Sequence, residues 1–376
     1  MIATALQWCR LNLFAKPFDA LLSIIVIPAC AWMMYETVRW ALVTARWEII
    51  PESLRVLMIG VYPPDQIWRT WASLMILGAL FGAALGCVFP IRRSHVAFFT
   101  VLLIAFGYTA IGSVPHDLAL IALAIGVSAA GWFATSRYPR LRRAFIPGCL
   151  VAVIAIFVIL APPGVGLWGG LLLSVLITLV TAIVTLPLGI LLAFGRRSRL
   201  SSVRIICTAY IEVMRSVPLI LVVYWIWILV PVLAPDLGLA DVARGMIGFT
   251  VFYTAYVAEY VRSGLQAVPR GQAEAARSLG MSTFDVNRHI VLPQALRVLV
   301  PPLVGNVLDI FNAAPLVFII GLTDFLRAGQ MILANPQYSD RTYEIYSFLF
   351  VTYFLVGSLL TFSARRLEVH LARGSR

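Results

Sequence analysis

Charge is what this chain has least of. Only 12% of its 376 residues are Asp, Glu, Lys or Arg, against roughly a quarter in an ordinary soluble domain. No polar stretch is long enough to fold alone in water. Lysine is almost absent, with Lys16 alone between Ala15 and Pro17. A P-loop needs G-x-x-x-x-G-K-[ST], so this chain cannot carry that motif, and any ATP chemistry belongs to a partner. Its cysteines (Cys9, Cys30, Cys87, Cys149, Cys207) include no C-x-x-C pair, which argues against a disulfide framework or a zinc site. The histidines (His95, His116, His289, His370) show no ligand spacing either. No metal and no cofactor are expected. Alternating hydrophobicity is also missing, which excludes a membrane β-barrel.

Continuous apolar sequence is what the chain has in abundance. A bilayer helix needs about 20 apolar residues. Runs of that kind fall at about 18–36, 73–90, 95–114, 117–135, 144–162, 170–194, 205–233, 246–265, 298–323 and 344–363. The fold class is therefore an all-α polytopic membrane protein of about ten transmembrane helices. Arg10 and Lys16 precede the first run, and Ile27-Pro28-Ala29-Cys30 makes a poor cleavage site, so that span is expected to be retained.

The net charge of +12 sits in short gaps between spans. That pattern fits membrane topology and speaks against a nucleic-acid partner. With the N-terminus inside, arginines such as Arg92, Arg137, Arg196, Arg270 and Arg365 lie inside, and Arg46, Arg69, Arg244 and Arg327 outside. Over the chain the inner side wins by about three to one, which places both termini in the cytoplasm. The chain divides at Pro162-Pro163-Gly164, giving an extension of about five spans over 1–163 and a five-span unit over 164–376. The first outer segment, 37–72, holds Trp40, Trp47, Trp68 and Trp71 and reads as interfacial.

One polar island stands out in this apolar chain. Glu274-Ala275-Ala276-Arg277-Ser278-Leu279-Gly280 is followed by Met281, Ser282 and then Ile290-Val291-Leu292-Pro293. Arg270 to Leu279 are good helix formers, and Gly280 is a natural C′ stop. Pro293 sits where it can fix a bend at the next span. Ala275 and Ala276 place small side chains beside Glu274, which lets another protein surface come close. The charge bias puts the loop, 266–297, in the cytoplasm between the third and fourth spans of the five-span unit.

E-A-A, three residues, G, nine residues, I-x-L-P resembles the coupling loop of ABC importer permeases. From about 166 to 365 the chain is similar to permeases of polar amino acid importers, through Trp168-Gly169-Gly170-Leu171, Leu186-Pro187-Leu188-Gly189, Tyr210 to Leu219, Ala255 to Gly264, and Ile320-Gly321-Leu322. The added N-terminal spans resemble the long form found in general L-amino acid and glutamate/aspartate importers. The resemblance implies a transport subunit of the bacterial inner membrane rather than an enzyme. It implies a dimer of ABC ATPase subunits, a second permease subunit, homo- or heterodimeric, and an extracytoplasmic substrate-binding protein. Glu274, Ala275, Ala276, Arg277, Leu279, Gly280, Met281, Ser282 and Pro293 would then form the ATPase contact.

Polar residues inside spans are functional candidates. Asp309 and Asn312 lie one turn apart on one face of their span, and Tyr253, Thr254 and Tyr256 lie in 246–265. They are candidates for a path that carries a zwitterion; interhelical hydrogen bonding is the competing role. Glu212/Arg215 and Glu259/Arg262 form two E-x-x-R pairs, each spaced for an intrahelical ion pair near the inner end of its span. One departure bears on cargo. Similar permeases carry a Lys and small polar residues where this chain has Asn312-Ala313-Ala314-Pro315. Another small polar solute, such as an opine or a modified amino acid, is therefore the alternative cargo. An ion-coupled secondary transporter would instead show inverted repeats, and no such symmetry is visible.

Overall fold

A computed structural model describes Gln7, residues 11–88 and residues 115–372. The span expected at 95–114 lies outside these described residues. Among them every regular element is helical, apart from an isolated bridge between Gly170 and Asp324. Helices satisfy their backbone groups internally, as hydrocarbon demands.

The N-terminal part contains α1 (Pro17–Arg39), the short α2 (Ile49–Ile59), α3 (Ile67–Val88), α4 (Pro115–Arg137) and α5 (Phe145–Leu160). The C-terminal part contains α6 (Gly170–Gly195), α7 (Ser201–Ser216), α8 (Leu219–Leu233), α9 (Asp241–Gln266), α10 (Arg270–Ser278), α11 (Leu292–Ala313), α12 (Phe325–Leu333) and α13 (Thr342–Ala372). Five stretches of described helix are long and apolar enough to cross a bilayer: Pro17–Thr44, Pro64–Cys87, Gly170–Gly195, Thr283–Ile320 and Thr342–Phe362.

The run at 205–233 is not the single span expected. It forms α7 and α8, bent by 114°. Pro218 is the cause, because it disfavours helical backbone at the residue before it. Val217 accordingly sits at φ −102°, ψ 141°. The run at 144–162 gives only the 16-residue α5. Helical geometry in α11 stops at Ala313, and a 3-10 turn over Ala314–Ile320 replaces the rest of its expected span.

α9 is the central stave and packs against α6, α7, α8 and α11. Its buried face runs from Val242 through Phe249, Phe252 and Val257 to Val261 and Gly264. Protein, rather than lipid, surrounds that face, so α9 tolerates Asp241, Arg244, Glu259 and Arg262 at its two ends. Small residues set its close approaches. A Cβ on Gly189 of α6 would lie 2.5 Å from Val257 Cγ1, and one on Gly248 would lie 2.9 Å from Val223 Cα. α3 and α4 meet by the same device. A Cβ on Gly82 would fall 1.8 Å from the Ser128 carbonyl oxygen. Gly78, Gly82 and Gly86 repeat at a spacing of four on that face, which suits close helix contact in lipid.

At the end where α6 begins, the two parts of the chain interlock. Leu160 O accepts hydrogen bonds from both Tyr62 Oη at 3.2 Å and Trp168 Nε1 at 3.1 Å. The segment expected to lie at the membrane interface thus also enters the core: Ile49, Ser53, Leu57 and Tyr62 are all buried.

Candidate coupling and translocation site

The 266–297 loop folds as a small independent device at one end of the bundle. α10 ends in a Schellman arrangement. Gly280, at φ 82°, donates its N–H to Arg277 O at 2.9 Å, and Met281 N–H reaches Ala276 O at 3.2 Å. Both carbonyls would otherwise be orphaned at the helix end. Ser282 then caps the next turn, Thr283–Val286, by accepting the N–H of Asp285 at 3.2 Å. That turn passes through a π-turn, Asn287–Val291, into α11 with Pro293 in its first turn.

The side chains of this device face two ways. Ala276 is buried against the loop itself, so it does not present the small surface expected of it; Ala275 does, being exposed. Val286 is buried as well. Glu274, Arg277, Gly280 and Ser282 point outward, and Met281 is half-buried. The Glu274 carboxylate has no partner among the described residues; only its carbonyl is engaged, accepting from Ser278 Oγ at 3.1 Å. Two large apolar side chains are displayed in this polar setting, Leu279 at 84% and Phe284 at 67% exposure. Phe284 escaped the sequence reading, which followed the motif and not the apolar residue four positions past its glycine.

Just above the loop, an ion network joins three helix ends. Glu259 is its hub. It accepts from Arg262 Nε at 3.0 Å on its own helix and from Arg196 at 3.3 Å, and it forms a longer ion pair with Arg215 at 3.7 Å. Arg196 also holds Glu212 at 2.9 Å. The intrahelical pair expected for Glu259 and Arg262 is present. The one expected for Glu212 and Arg215 is not: those residues look outward from α7 to α6 and α9 respectively. The bend at Val217–Pro218 explains this, because it lays α7 across the ends of its neighbours. Arg196 was missed, since it lies in a basic turn that read as ordinary inner-side charge. Arg215 also stacks over Tyr256, 5.8 Å from the ring centre.

The path candidates separate into two groups. Thr254 is buried and its hydroxyl donates to Thr250 O of its own helix at 2.5 Å, so it is spent on structure. Tyr253 is buried between Phe249, Phe252 and Tyr256, with ring centres 5.2 Å apart for Phe252 and 6.1 Å for Tyr256. Asp309 and Asn312 are exposed on α11. Asp309 lies close enough to Tyr253 and Tyr260 to act on them electrostatically. Asn312 opens onto a groove of about 520 Å³ between α11 and α13, with Tyr353, Gly357 and Ser358. One turn before Asp309, Asn306 is 3% exposed and its Oδ1 has no hydrogen-bond partner among the described residues. The sequence reading passed over it. Its signal was a lone amide in an apolar span, the same signal that marked Asn312.

Residues 185–376 match the family described as binding-protein-dependent transport system inner membrane component. Two relatives match over nearly the whole chain. The inner membrane amino-acid ABC transporter permease protein YhdY of Escherichia coli (strain K12) is 31% identical over 371 residues, covering 93% of this chain and 89% of the relative. The glutamate/glutamine/aspartate/asparagine transport system permease protein BztC of Rhodobacter capsulatus is 30% identical over 414 residues, covering 98% and 93%. Among solved structures, a crystal structure of an amino acid ABC transporter with histidines shares 26% identity at a TM-score of 0.49, over 54% of this chain and 92% of that one.

Proposed function

The chain belongs to the family of binding-protein-dependent transport system inner membrane components, and on that basis we propose that it is the permease subunit of an ATP-driven amino acid importer. It is a multi-pass inner membrane protein. Its partners in this reading are a dimer of ABC ATPases, a second permease subunit and an extracytoplasmic binding protein. Amino acid cargo is supported by the named substrates of its long relatives.

The 266–297 loop carries the proposal. A capped helix and the turn after it expose Leu279, Phe284 and a Glu274 carboxylate that has no partner among the described residues. Large apolar side chains on a polar loop mark a protein contact. We place the loop and both termini in the cytoplasm, where the ATPases are. Their closure on ATP moves the docked loop, and α11 and α9, which leave and enter it directly, carry that motion into the bundle. Such coupling requires a contact that differs between two states. The Glu259 network sits between loop and bundle, and its charges are well placed to hold one of those states.

Asp309 and Asn312 mark the path side of the subunit. Polar groups exposed on a membrane helix face a cavity or a partner, because lipid would leave them unsolvated. The second permease covers them in the dimer and leaves a wet route between. The test is reconstitution of both permeases with ATPase and binding protein in liposomes. ATP-dependent amino acid uptake is expected, with loss of uptake in Glu274→Arg at unchanged membrane insertion. Full uptake by that variant would sink the coupling role. Uptake of an opine in place of amino acids would sink the proposed cargo alone.

A further inference from the structure

By chain order α2 belongs to the N-terminal extension, yet its buried face is completed by the C-terminal part. Ile49 and Leu57 share one apolar cluster with Phe325 and Ile332 of α12 and with Ile345 and Leu349 of α13. α12 has only nine residues and is too short to hold itself in place. It is gripped between α2, α6 and α13.

Three further anchors fix the segment. Glu344 is 5% exposed, and its Oε1 accepts the backbone N–H of Arg46 at 3.0 Å, across 298 positions of sequence. No arginine or lysine among the described residues pairs with that carboxylate. Removing the N-terminal segment would therefore take away the donor that Glu344 Oε1 has across this contact. Tyr338 Oη donates to Glu52 Oε2 at 3.2 Å. Finally, Gly60 and Gly169 touch backbone to backbone: a Cβ on Gly60 would lie 2.6 Å from Gly169 Cα, and one on Gly170 would lie 2.4 Å from Leu57 O. That contact leaves no slack for sliding.

We propose that residues 46–62 are a working part of the permease: a fixed clamp, at the end opposite the 266–297 loop, that positions α12 and the adjoining end of α13, with Glu344 as its positioning residue. The N-terminal extension is then no detachable accessory. Its functional meaning rests on the import reading, in which this end faces the side from which cargo is delivered. With that end pinned, rocking driven from the loop is confined to the other half of the bundle. In that half α6 carries Pro187, and α11 carries Pro301 and Pro302, inside continuous helix.

The test uses the full complex in liposomes. In Glu52→Cys/Tyr338→Cys a short bismaleimide should bridge the two positions in the resting complex, as read by mass spectrometry, and uptake should stay at the uncross-linked rate. Bridging that abolishes uptake would show that the segment moves, and absence of bridging would show that it is not held; either overturns the clamp. Glu344→Ala should lower uptake about tenfold, the effect of an orphaned buried hydrogen-bonding group, and make ATP hydrolysis less dependent on loaded binding protein. Glu344→Gln keeps an acceptor for Arg46 and should restore both. Parental behaviour of Glu344→Ala, or equal damage from Glu344→Gln, overturns the positioning role. If the parent complex takes up no amino acid, the import reading fails, while the cross-link still decides whether the segment is held.

Discussion

Glu259 and Glu212 look alike in sequence, each three residues before an arginine, but their surroundings separate them. Glu259 faces three guanidinium groups and is largely shielded, with 18% of its side chain exposed; Glu212 is 60% exposed and has one partner. Glu259→Gln leaves three arginines repelling one another and forfeits charge-assisted hydrogen bonds, a loss on the order of 2 kcal/mol. Glu212→Gln removes a solvated pair worth a few tenths, on the order of 0.5 kcal/mol or less. Uptake assays should show about a thirtyfold loss for the first, while the second stays near the parent, within about twofold. Equal effects would remove Glu259 from its hub role. Asp324, which lies beyond the α11 span, gives a prediction in pH. It caps α12 by accepting from the N–H groups of Leu326 and Arg327, but burial pushes its carboxyl up to about 6. A carboxyl raised above its unfolded value contributes its full stability below the unfolded pKa, near 4, and loses it as pH rises through about 6. Thermal melts of the solubilised complex should therefore lose stability between about pH 4 and pH 6–7, by about 3 kcal/mol from this group. Asp324→Asn, which caps without a charge, should remove that part of the slope. An unchanged slope would show that Asp324 does not titrate there.

The elements differed sharply in how much their residues disclosed. α10 was legible to within a residue of its end, because Gly280 stops a helix for a local reason that sequence displays. The α7–α8 break was marked by Pro218 and still read through, since hydropathy alone cannot separate a straight span from a bent one. The α3–α4 contact was also written plainly, in Gly78, Gly82 and Gly86, but its meaning depends on a partner helix that only the fold supplies. The facing of Ala276 could not be read at all, because inward and outward alanines are identical until the loop closes on itself. For the loop the displayed apolar pair matters most. Leu279→Asp and Phe284→Asp should each weaken ATPase association by about 2 kcal/mol, as expected for exposed apolar anchors in an interface, while the permease still inserts. Gly280→Val should act differently. At φ 82° a branched side chain costs about 1–2 kcal/mol, so the cap should loosen and association fall with Leu279 and Phe284 unchanged. Binding of purified ATPase to permease liposomes measures all three. Full binding by both aspartate variants would move the contact elsewhere.

At the scale of the whole molecule, two ends with different mechanical character emerge. One end carries the 266–297 loop and the Glu259 network. The other is pinned by glycine backbone contacts, the shared Leu160 carbonyl and the Glu344–Arg46 hydrogen bond. Composition announced a membrane protein, and the arginine bias suggested which end is inside, but neither could reveal this asymmetry. It arises from contacts between residues about 300 positions apart, such as Arg46 and Glu344, which leave no local trace. Sidedness is therefore the property on which the mechanical picture turns, and it can be measured directly. Leu279→Cys and Ser339→Cys place thiols at exposed positions of opposite ends. A membrane-impermeant maleimide applied to intact cells, stripped of outer barrier, should label Ser339→Cys above the parent chain and leave Leu279→Cys unlabelled until the membrane is permeabilised. The native thiols Cys87, Cys149 and Cys207 are partly buried and Cys30 lies within a span, so with Cys9, which lies outside the described residues, replaced by Ser the parent background should be low. The reverse pattern would turn the loop away from the ATPases and overturn the coupling scheme together with the arginine argument. Labelling of both sites from one side would show that the loop and α12 do not lie at opposite ends of a membrane-crossing bundle.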